Sequence, residues 1–141
     1  MGRKSNLLLL IALTVASVCT GQQLQAVDLG IYRVVYSEKL ENPVKVTYVV
    51  LCPDGTASRA GMEFYIDKKI HTADNNDYVN NEWDKGHMAP AADFNCNKEM
   101  LYKTFTYLNS ALQHQSLNRG IWKHLEMHER ELAKKEKVEV I

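Results

Sequence analysis

The sequence predicts a single α+β domain organised around an antiparallel sheet. Two stretches rich in Val, Ile and Tyr, 31–36 and 44–51, have the composition of strands, and a turn signal at 41–43 separates them. Further along, 117–135 has apolar residues at helical spacing, with Glu and Lys in most of the other positions. The apolar stripe of this predicted helix consists of Leu117, Ile121, Leu125 and Leu132. A chain of 141 residues has room for one domain.

The middle and the end of the chain add shorter elements. Residues 62–66 are a third candidate strand, and the Asn- and Asp-rich stretch 74–81 predicts a surface loop. The next segment fits both helical and strand spacing, and we interpret it as a helix near 98–103 followed by a strand near 104–109. Residues 138–141 begin a further strand.

The N-terminus has the pattern of a secretory signal peptide. Two basic residues precede an apolar run over 7–18, and small and polar residues follow. The run is shorter than the roughly 20 apolar residues of a membrane span, so an uncleaved anchor is the less favoured alternative. We predict a signal peptide over 1–26, cleaved near Gly21 or Ala26, and a domain over 27–141. The mature chain would then be secreted or otherwise extracytoplasmic, without stable membrane association.

Net charge does not by itself point to a nucleic-acid partner. Removal of 1–26 leaves fifteen basic and seventeen acidic side chains, a formal charge of −2. Nucleic-acid binders usually carry a basic face. The pairs Lys68–Lys69 and Arg119–Lys123 are candidates for local positive charge, or for ordinary solvated surface.

Two cysteines remain after the predicted signal peptide, Cys52 and Cys96. In an oxidising compartment they can pair, and closing this long loop would stabilise the fold by roughly 3–4 kcal/mol in the chain-entropy model. Two unrelated buried thiols are the alternative. The spacing does not match a zinc knuckle.

The string Asp84–Phe94 contains a candidate catalytic base, His87. An imidazole can take a proton from water near neutral pH, and phosphodiester hydrolysis needs a base on the attacking water and positive charge near the phosphate. Gly86 allows a tight backbone. Asp84 is expected to hold the turn or orient His87, and Lys85 to pair with a phosphate as a point charge.

Asn118 and Glu126 are candidates for a magnesium site on the predicted helix. An amide oxygen is a hard, neutral ligand that suits Mg²⁺, which keeps most of its waters. Glu126 lies eight residues further on, about 12 Å along the axis, so it would reach a metal-bound water rather than the ion. Taken singly, Asn118 would be a helix cap and Glu126 part of a solvated face.

Together these segments resemble the DNA/RNA non-specific endonuclease family, whose active site is the ββα-metal, or His-Me finger, motif. Residues 84–90 correspond to its Asp-Arg-Gly-His-x-x-Pro signature. A second family pattern, Asn-x-x-Pro-Gln…Leu-Asn-x-Gly-x-Trp…Leu-Glu, matches at Asn109, Gln113, Leu117, Asn118, Gly120, Trp122, Leu125 and Glu126. The resemblance covers about 44–135.

The resemblance implies a function and a role for each matched residue. It implies Mg²⁺-dependent hydrolysis of DNA and RNA without sugar specificity, leaving 5′-phosphate ends, with Mn²⁺ as a substitute metal. By the same resemblance His87 is the general base, Asn118 the direct metal ligand and Glu126 its outer partner. Arg59 matches an upstream arginine that binds phosphate. The implied substrate-binding residues are Lys85, Asn109, Gln113 and Arg119.

The chain also departs from the family pattern. Lys85 stands where the family has Arg, which removes a bidentate phosphate contact, and Leu112 stands where it has Pro. Family domains continue past this helix with further strands, whereas the sequence ends at Ile141. We therefore expect a domain that is incomplete at its C-terminus, with an open sheet edge.

Three other interpretations compete with an active nuclease. One is a catalytically weak nucleic-acid-binding remnant of the same family. Another is a disulfide-linked interaction module, which requires the motif match to be accidental. A zinc site at His124 and His128 is the third, but the Glu between them is misplaced for the His-Glu-x-x-His motif. No Gly-x-Ser-x-Gly elbow or Gly-rich phosphate loop is present.

Overall fold

The described part of the chain, residues 24–141 of a computed structural model, combines antiparallel strands with short helices. The strands are β1 (Leu24–Asp28), β2 (Tyr32–Ser37), β3 (Asn42–Val49), β4 (Trp83–His87), β5 (Ser110–His114) and β6 (Glu139–Val140). The α-helices are α1 (Lys98–Lys103), α2 (Gln115–Leu117) and α3 (Lys123–Ala133). Single 3₁₀ turns lie at Asn75–Tyr78, Ala91–Phe94 and Tyr107–Asn109, and a wide π-type turn over Asn118–Trp122 joins α2 to α3. The predicted α+β class is confirmed.

Four strands form the larger sheet, in the order β1-β2-β3-β6, with every neighbouring pair antiparallel. The predicted strands 31–36 and 44–51 are confirmed as β2 and β3, and the predicted C-terminal strand is β6. The turn lies earlier than its sequence signal, because Asn42 and Pro43 already pair with β2. Glu41 provides the left-handed residue of that turn, with φ of +48°.

The main core lies against one face of this sheet. Alternate residues of β2 and β3 point inward, as the period of a strand requires. The buried set is Tyr32, Val34, Tyr36, Val46, Tyr48 and Val50. Phe94 is fully buried above them, with its ring centroid 5.8 Å from that of Tyr32 and 5.9 Å from that of Tyr48. Phe94 therefore ties the segment that follows His87 to the sheet.

A separate two-stranded ribbon, β4 with β5, comes before the C-terminal helices. The pairing is antiparallel, with His87 opposite Ser110 and Asp84 opposite Gln113. Strand β4 ends at His87. Two antiparallel strands followed by a helix are the ββα arrangement that the sequence predicts.

Two predicted strands are wrong. Residues 62–66 form only an isolated bridge, in which Tyr65 pairs with Thr106. Residues 104–109 form a buried, irregular segment, and the true strand β5 begins one residue later. The apolar alternation of 104–109 therefore reflects burial and not a strand. The Thr104 hydroxyl donates to the Leu101 carbonyl, and the Thr106 hydroxyl accepts from the Leu108 N–H, so side chains bond to local backbone groups.

The C-terminal helix also differs from its prediction. It is interrupted at Gly120, which has φ −106° and ψ −111°, so that regular helix resumes at Lys123. The predicted apolar stripe of Leu117, Ile121, Leu125 and Leu132 is exposed rather than buried. Polar contacts hold α3 instead. Arg130 donates to the fully buried Asp93 at 2.8 Å, and Tyr48 donates to Glu129 at 2.9 Å.

Cys52 and Cys96 form a disulfide, with their Cα atoms 5.3 Å apart. This confirms the pairing over the alternative of two free thiols. It joins the segment after β3 to the segment that carries Asp93, and Leu51 and Cys52 both donate backbone hydrogen bonds to the Asp93 carbonyl. The disulfide and the Asp93–Arg130 pair therefore secure the same corner of the domain.

Most of the predicted signal peptide lies outside the described residues. Leu24, Gln25 and Ala26 are described, and they pair with β2 as part of β1. Cleavage near Gly21 would leave this strand whole, whereas cleavage after Ala26 would remove most of it. The boundary stays a prediction. Within residues 24–141, no helix combines the length and apolarity needed to cross a membrane.

Candidate active site

Strand β4 places its polar residues on two faces of the ribbon. Because successive strand residues alternate, Lys85 and His87 share one face and Asp84 and Gly86 the other. Gly86 is needed there, since a Cβ at this position would lie 2.2 Å from Oε1 of Gln113. The glycine of the motif thus serves close packing of the two strands.

His87 packs against two aromatic rings at the end of β4. The centroids of Phe64 and Phe105 each lie 4.9 Å from that of the imidazole. Its Nε2 is buried and has no hydrogen-bond partner among the described residues. Burial, and secondarily the positive charge of Arg59, lower the pKa of His87 to about 3. The imidazole is therefore neutral at physiological pH, and in this environment it is a weaker base than a solvated histidine.

Arg59 lies beside His87 across the Phe105 ring. Its guanidinium carbon is 5.7 Å from the centre of the Phe105 ring, the ring that also packs against His87. A guanidinium over an aromatic face is held by a cation–π interaction and keeps its charge. Phe105 thus positions a base and a cation side by side.

Lys85 lies on the His87 face within a group of aromatic rings. Its Nζ is 5.6 Å from the centre of Phe64, 5.7 Å from that of Tyr78 and 5.4 Å from that of Tyr107. It also donates to Oδ1 of Asn75, which accepts a second hydrogen bond from the Tyr107 hydroxyl at 2.6 Å. These contacts fix the position of the ammonium group.

Asn109 holds the backbone that follows His87. It is fully buried, and its side chain accepts from the Ala89 N–H at 2.8 Å. Its amide nitrogen donates to the carbonyls of Ala89, at 2.9 Å, and Thr104, at 3.1 Å. The predicted substrate contact is therefore corrected, because every side-chain bond of Asn109 goes to buried backbone. Asn109 positions the turn after His87.

Gln113 needs a similar correction. Its side chain is 6% exposed and lies against Gly86, on the face of the ribbon opposite His87. Its Oε1 is buried without a partner in the described chain. Gln113 therefore packs closely against the backbone of β4 at Gly86.

Asn118, Arg119 and Asp84 form a polar cluster where the ribbon meets the helical segment. Asn118 Nδ2 donates to Asp84 Oδ2 at 2.9 Å. Arg119 makes a bidentate pair with the same carboxylate, through Nε at 2.8 Å and Nη2 at 2.7 Å. The hydrogen bond from Arg119, followed by that from Asn118, lowers the pKa of Asp84 below its usual value despite partial burial. Arg119 was predicted to bind substrate, but its charge is already paired with Asp84.

Asp84 is the functional residue whose role the sequence analysis missed. We expected it to hold the turn or orient His87, and it orients Asn118 instead. Asp84 and His87 are three residues apart, about 10 Å along the strand, and point to opposite faces. His87 and the Asp84–Asn118 pair are therefore connected through the backbone of β4 and not by a direct contact. The carboxylate in the motif was the available signal, but its partner depends on where the helix docks.

Glu126 lies at the edge of the main core. It lines a cavity of about 490 Å³ together with Tyr48, Met88, Trp122 and Glu129 among others. Burial, and then the nearby Asp93 carboxylate, raise the pKa of Glu126 to about 7. No described hydrogen bond joins it to the Asp84–Asn118 cluster, and the chain between Asn118 and Glu126 is kinked at Gly120. The predicted contact of Glu126 with a metal-bound water stays a prediction.

No group of three or more His, Cys, Asp or Glu side chains within residues 24–141 is arranged to hold a metal ion. His124 and His128 are both exposed on α3. The zinc alternative thus has two exposed histidines and no third ligand in the described chain. An Asn-based site is of a different kind, since the amide oxygen of Asn118 is a single neutral ligand.

The two-stranded ribbon ending in His87, followed by a helical segment that carries Asn118, is a ββα-metal nuclease arrangement. The chain belongs to the DNA/RNA non-specific endonuclease family, whose model matches residues 14–141. A crystal structure of an EndoG/EndoGI complex is similar with a TM-score of 0.75 and 28% identity, over 81% of this chain and 50% of that chain.

Curated relatives are nucleases. Nuclease EXOG, mitochondrial, from Danio rerio is 38% identical over 84 residues, which is 57% of this chain and 24% of the relative. Endonuclease G, mitochondrial, from Bos taurus is 32% identical over 83 residues, which is 57% of this chain and 28% of the relative. The matched part of the chain thus covers about a quarter of the length of these relatives.

Proposed function

We propose that this chain is a secreted, Mg²⁺-dependent endonuclease that hydrolyses phosphodiester bonds of DNA and RNA without sugar specificity. The observation that carries the proposal is the environment of His87. Its Nε2 has no hydrogen-bond partner in the described chain, and the Arg59 guanidinium lies against Phe105, the ring that also packs on His87. With the ring proton on Nδ1, Nε2 is the atom that can take a proton from water.

The side chains around His87 have complementary roles in the proposed reaction. His87 removes a proton from a water molecule, whose oxygen attacks phosphorus in line with the leaving 3′-oxygen. The bond from phosphorus to that oxygen breaks, the oxygen is protonated, and the phosphate stays on the 5′ end. Arg59 and Lys85 place two positive charges on the His87 side for the phosphate oxygens.

Asn118 is the residue that would hold the metal ion. Its Nδ2 is engaged by Asp84, which leaves Oδ1 as the end of the amide that can bind a cation. A hard, neutral oxygen fits Mg²⁺, which retains most of its waters, and Mn²⁺ is the expected substitute. When bound, the ion would stabilise negative charge on the phosphate and the leaving oxygen.

Nicking of supercoiled plasmid by the purified chain tests the proposal. We expect cleavage with Mg²⁺, none with EDTA, and loss of cleavage in His87→Ala and in Asn118→Ala. His128→Ala is a matched control, because His128 is an exposed histidine on α3 away from the proposed site. Cleavage that survives His87→Ala in well-folded protein would show that another group is the base.

Secretion is the part of the proposal that depends on residues 1–26. Expression with the native N-terminus should deliver the protein to the medium, and N-terminal sequencing of the secreted form should locate cleavage near Gly21 or Ala26. The relatives EXOG and Endonuclease G carry the word mitochondrial in their names. If the tagged chain is recovered from mitochondria and not from the medium, the proposal of secretion is wrong and the N-terminus directs mitochondrial import.

A nucleic-acid-binding protein without catalysis is the second candidate. The environment of Glu126 favours it, since this carboxyl group lies near Asp93 and burial raises its pKa to about 7. Binding of an oligonucleotide by folded wild-type protein, with no cleavage in Mg²⁺ or Mn²⁺, would support this candidate over the nuclease.

A further inference from the structure

One face of the β4–β5 ribbon carries an exposed aromatic side chain in line with His87. Trp83, Lys85 and His87 alternate along β4, so all three point to the same side. Their cross-strand partners share that face, and they are His114, Leu112 and Ser110 respectively. The face thus runs from a tryptophan through a cation to the proposed base.

The indole of Trp83 is both exposed and supported. The residue is 45% exposed, although large aromatic residues are usually mostly buried. The imidazole of His114 meets its ring edge-on, at 5.8 Å between centroids and 86° between planes. His114 is in turn hydrogen-bonded to Glu82 through Nε2 at 3.0 Å. These contacts restrict the indole while leaving much of its surface in solvent.

We propose that Trp83 is a stacking platform for an unpaired base of the nucleic-acid substrate. This inference rests on the proposed function, because the platform lies on the His87 face. Trp83 and His87 are four residues apart, about 13 Å along the strand. A stacked strand rises about 3.4 Å per nucleotide, so the stacked base lies about two to four nucleotides from the phosphate at His87, depending on how far the strand is stretched.

The chemistry of this face favours a nucleic acid as its occupant. Lys85 lies between Trp83 and His87 along β4, and its positive charge complements the backbone phosphates that join the stacked base to the cleaved bond. Exposed aromatics combined with positive charge along a strand face are how proteins bind single strands without reading their sequence. Such binding suits an enzyme that is not sequence-specific.

The proposal selects a class of substrate. In a continuous duplex both faces of each base are covered by its neighbours, so Trp83 has no base to stack on. Single-stranded DNA or RNA, and frayed or gapped duplexes, present free base faces. The platform therefore favours unpaired segments in both nucleic acids, because every base has an aromatic face and no contact to the sugar is involved.

Binding without cleavage provides the main test. Affinity for a labelled oligothymidylate is measured in EDTA for wild type, Trp83→Ala and Trp83→Phe. Stacking on one base predicts about 5- to 150-fold weaker binding for Trp83→Ala and a smaller loss for Trp83→Phe. Tyr102→Ala is a matched control, because Tyr102 is 47% exposed and also packs against one ring, that of Tyr65, but lies on α1.

Removing the bases separates stacking from other effects. The Trp83→Ala loss should disappear on a strand of the same length made wholly of abasic sites, and on a closed, fully paired hairpin duplex. In a Trp122→Phe protein Trp83 is the only tryptophan of the chain, and its fluorescence should be quenched by oligothymidylate but not by the abasic strand. Equal losses on thymidylate and abasic strands, or equal losses in Trp83→Ala and Tyr102→Ala, would overturn the platform.

The test also separates this inference from the proposed function. Protein that binds through Trp83 but never nicks plasmid in Mg²⁺ would keep the platform and reject the nuclease. If wild type nicks plasmid and Trp83→Ala binds and cleaves like wild type, the nuclease is kept and the platform is rejected. Sedimentation of wild type and Trp83→Ala, without nucleic acid, tests whether this face instead binds a second copy of the chain. A dimer that Trp83→Ala dissociates would assign this face to a second copy of the chain and overturn the proposal.

Discussion

Asn118 donates from Nδ2 to Asp84 Oδ2 at 2.9 Å, and this hydrogen bond ties the start of the helical segment to β4. The same carboxylate accepts two hydrogen bonds from Arg119, so its orientation is restrained from two sides. The amide of Asn118 consequently has a defined orientation, with its nitrogen toward Asp84 and its oxygen available. Asp84 is thus a positioning residue for the proposed metal ligand.

Replacing Asp84 should weaken metal-dependent cleavage without removing the metal ligand. We expect Asp84→Ala to need about 10- to 100-fold more Mg²⁺ for half-maximal cleavage, as is typical when the partner of a ligand is lost. The measurement is cleavage rate against Mg²⁺ concentration. Glu136→Ala, an exposed acid near the C-terminus, should leave the titration unchanged. An unchanged titration in Asp84→Ala would mean that Asn118 needs no such support.

The buried position of His87 predicts an unusual pH profile. Its pKa is lowered to about 3, so the imidazole stays neutral as the pH falls through 6.5. We therefore expect kcat/KM to remain level between pH 8 and pH 5, provided that folding is monitored at each pH. A decline with a midpoint near 6.5 would place His87 in a solvated environment during catalysis.

The same pKa shift affects stability. Between about pH 6.5 and 3 the unfolded histidine binds a proton and the folded one does not, so unfolding becomes easier as the pH falls. The His87→Ala variant lacks this effect. The free-energy difference between wild type and His87→Ala, measured by urea unfolding, should therefore shift in favour of the variant from pH 7 to pH 5.

Loss of Arg130 should destabilise the corner where α3 meets the core. Arg130 is paired with Asp93, whose side chain is 0% exposed, and Arg130→Met would leave that carboxylate without its cation. We expect a loss of about 3–5 kcal/mol in the free energy of unfolding at pH 7. Because burial already raises the pKa of Asp93 to about 6, the loss should be smaller at pH 5, where Asp93 takes up a proton.

A double variant checks that the cost comes from the unpaired charge. Asp93→Asn combined with Arg130→Met should be more stable at pH 7 than Arg130→Met alone. If the two proteins unfold at the same urea concentration, lost packing of the arginine stem would account for the effect instead.

The disulfide should provide a separate increment of stability. Cys52 and Cys96 are 44 residues apart in sequence, and the chain-entropy model gives roughly 4 kcal/mol for a loop of that length. The protein with both cysteines replaced by Ala should unfold at lower guanidinium concentration by that amount. Reductant should lower the stability of wild type to the same level and leave the double variant unchanged. Reductant-insensitive wild-type protein would show that the bond is not formed in solution.

The sequence was most informative where local patterns decide the structure. Alternating Val and Tyr residues were sufficient for β2 and β3, and the helix over 98–103 was correctly bounded. The motif around His87 identified the family, because residues 84–90 resemble its signature.

Contacts between distant segments could not be predicted in this way. The partner of Asp84, the ring group around Lys85 and the burial of Asn109 each join residues from different elements, over separations of ten to about 35 residues. The apolar spacing of Leu117, Ile121 and Leu125 predicted a buried stripe, whereas these residues are exposed. Periodicity identifies a face of a helix but does not identify what covers it.

The sequence by itself determined the family, the ββα order of elements, the proposed base and the cysteine pair as candidates. These follow from residue identity and near-neighbour spacing. Only the tertiary structure decided that Asn109 and Gln113 are buried beside the ribbon, that Asp84 orients Asn118, and that Glu126 lines a cavity with Tyr48 and Trp122. The physical reason is that burial, charge pairing and pKa depend on which surfaces meet when the ribbon, the sheet and α3 pack together.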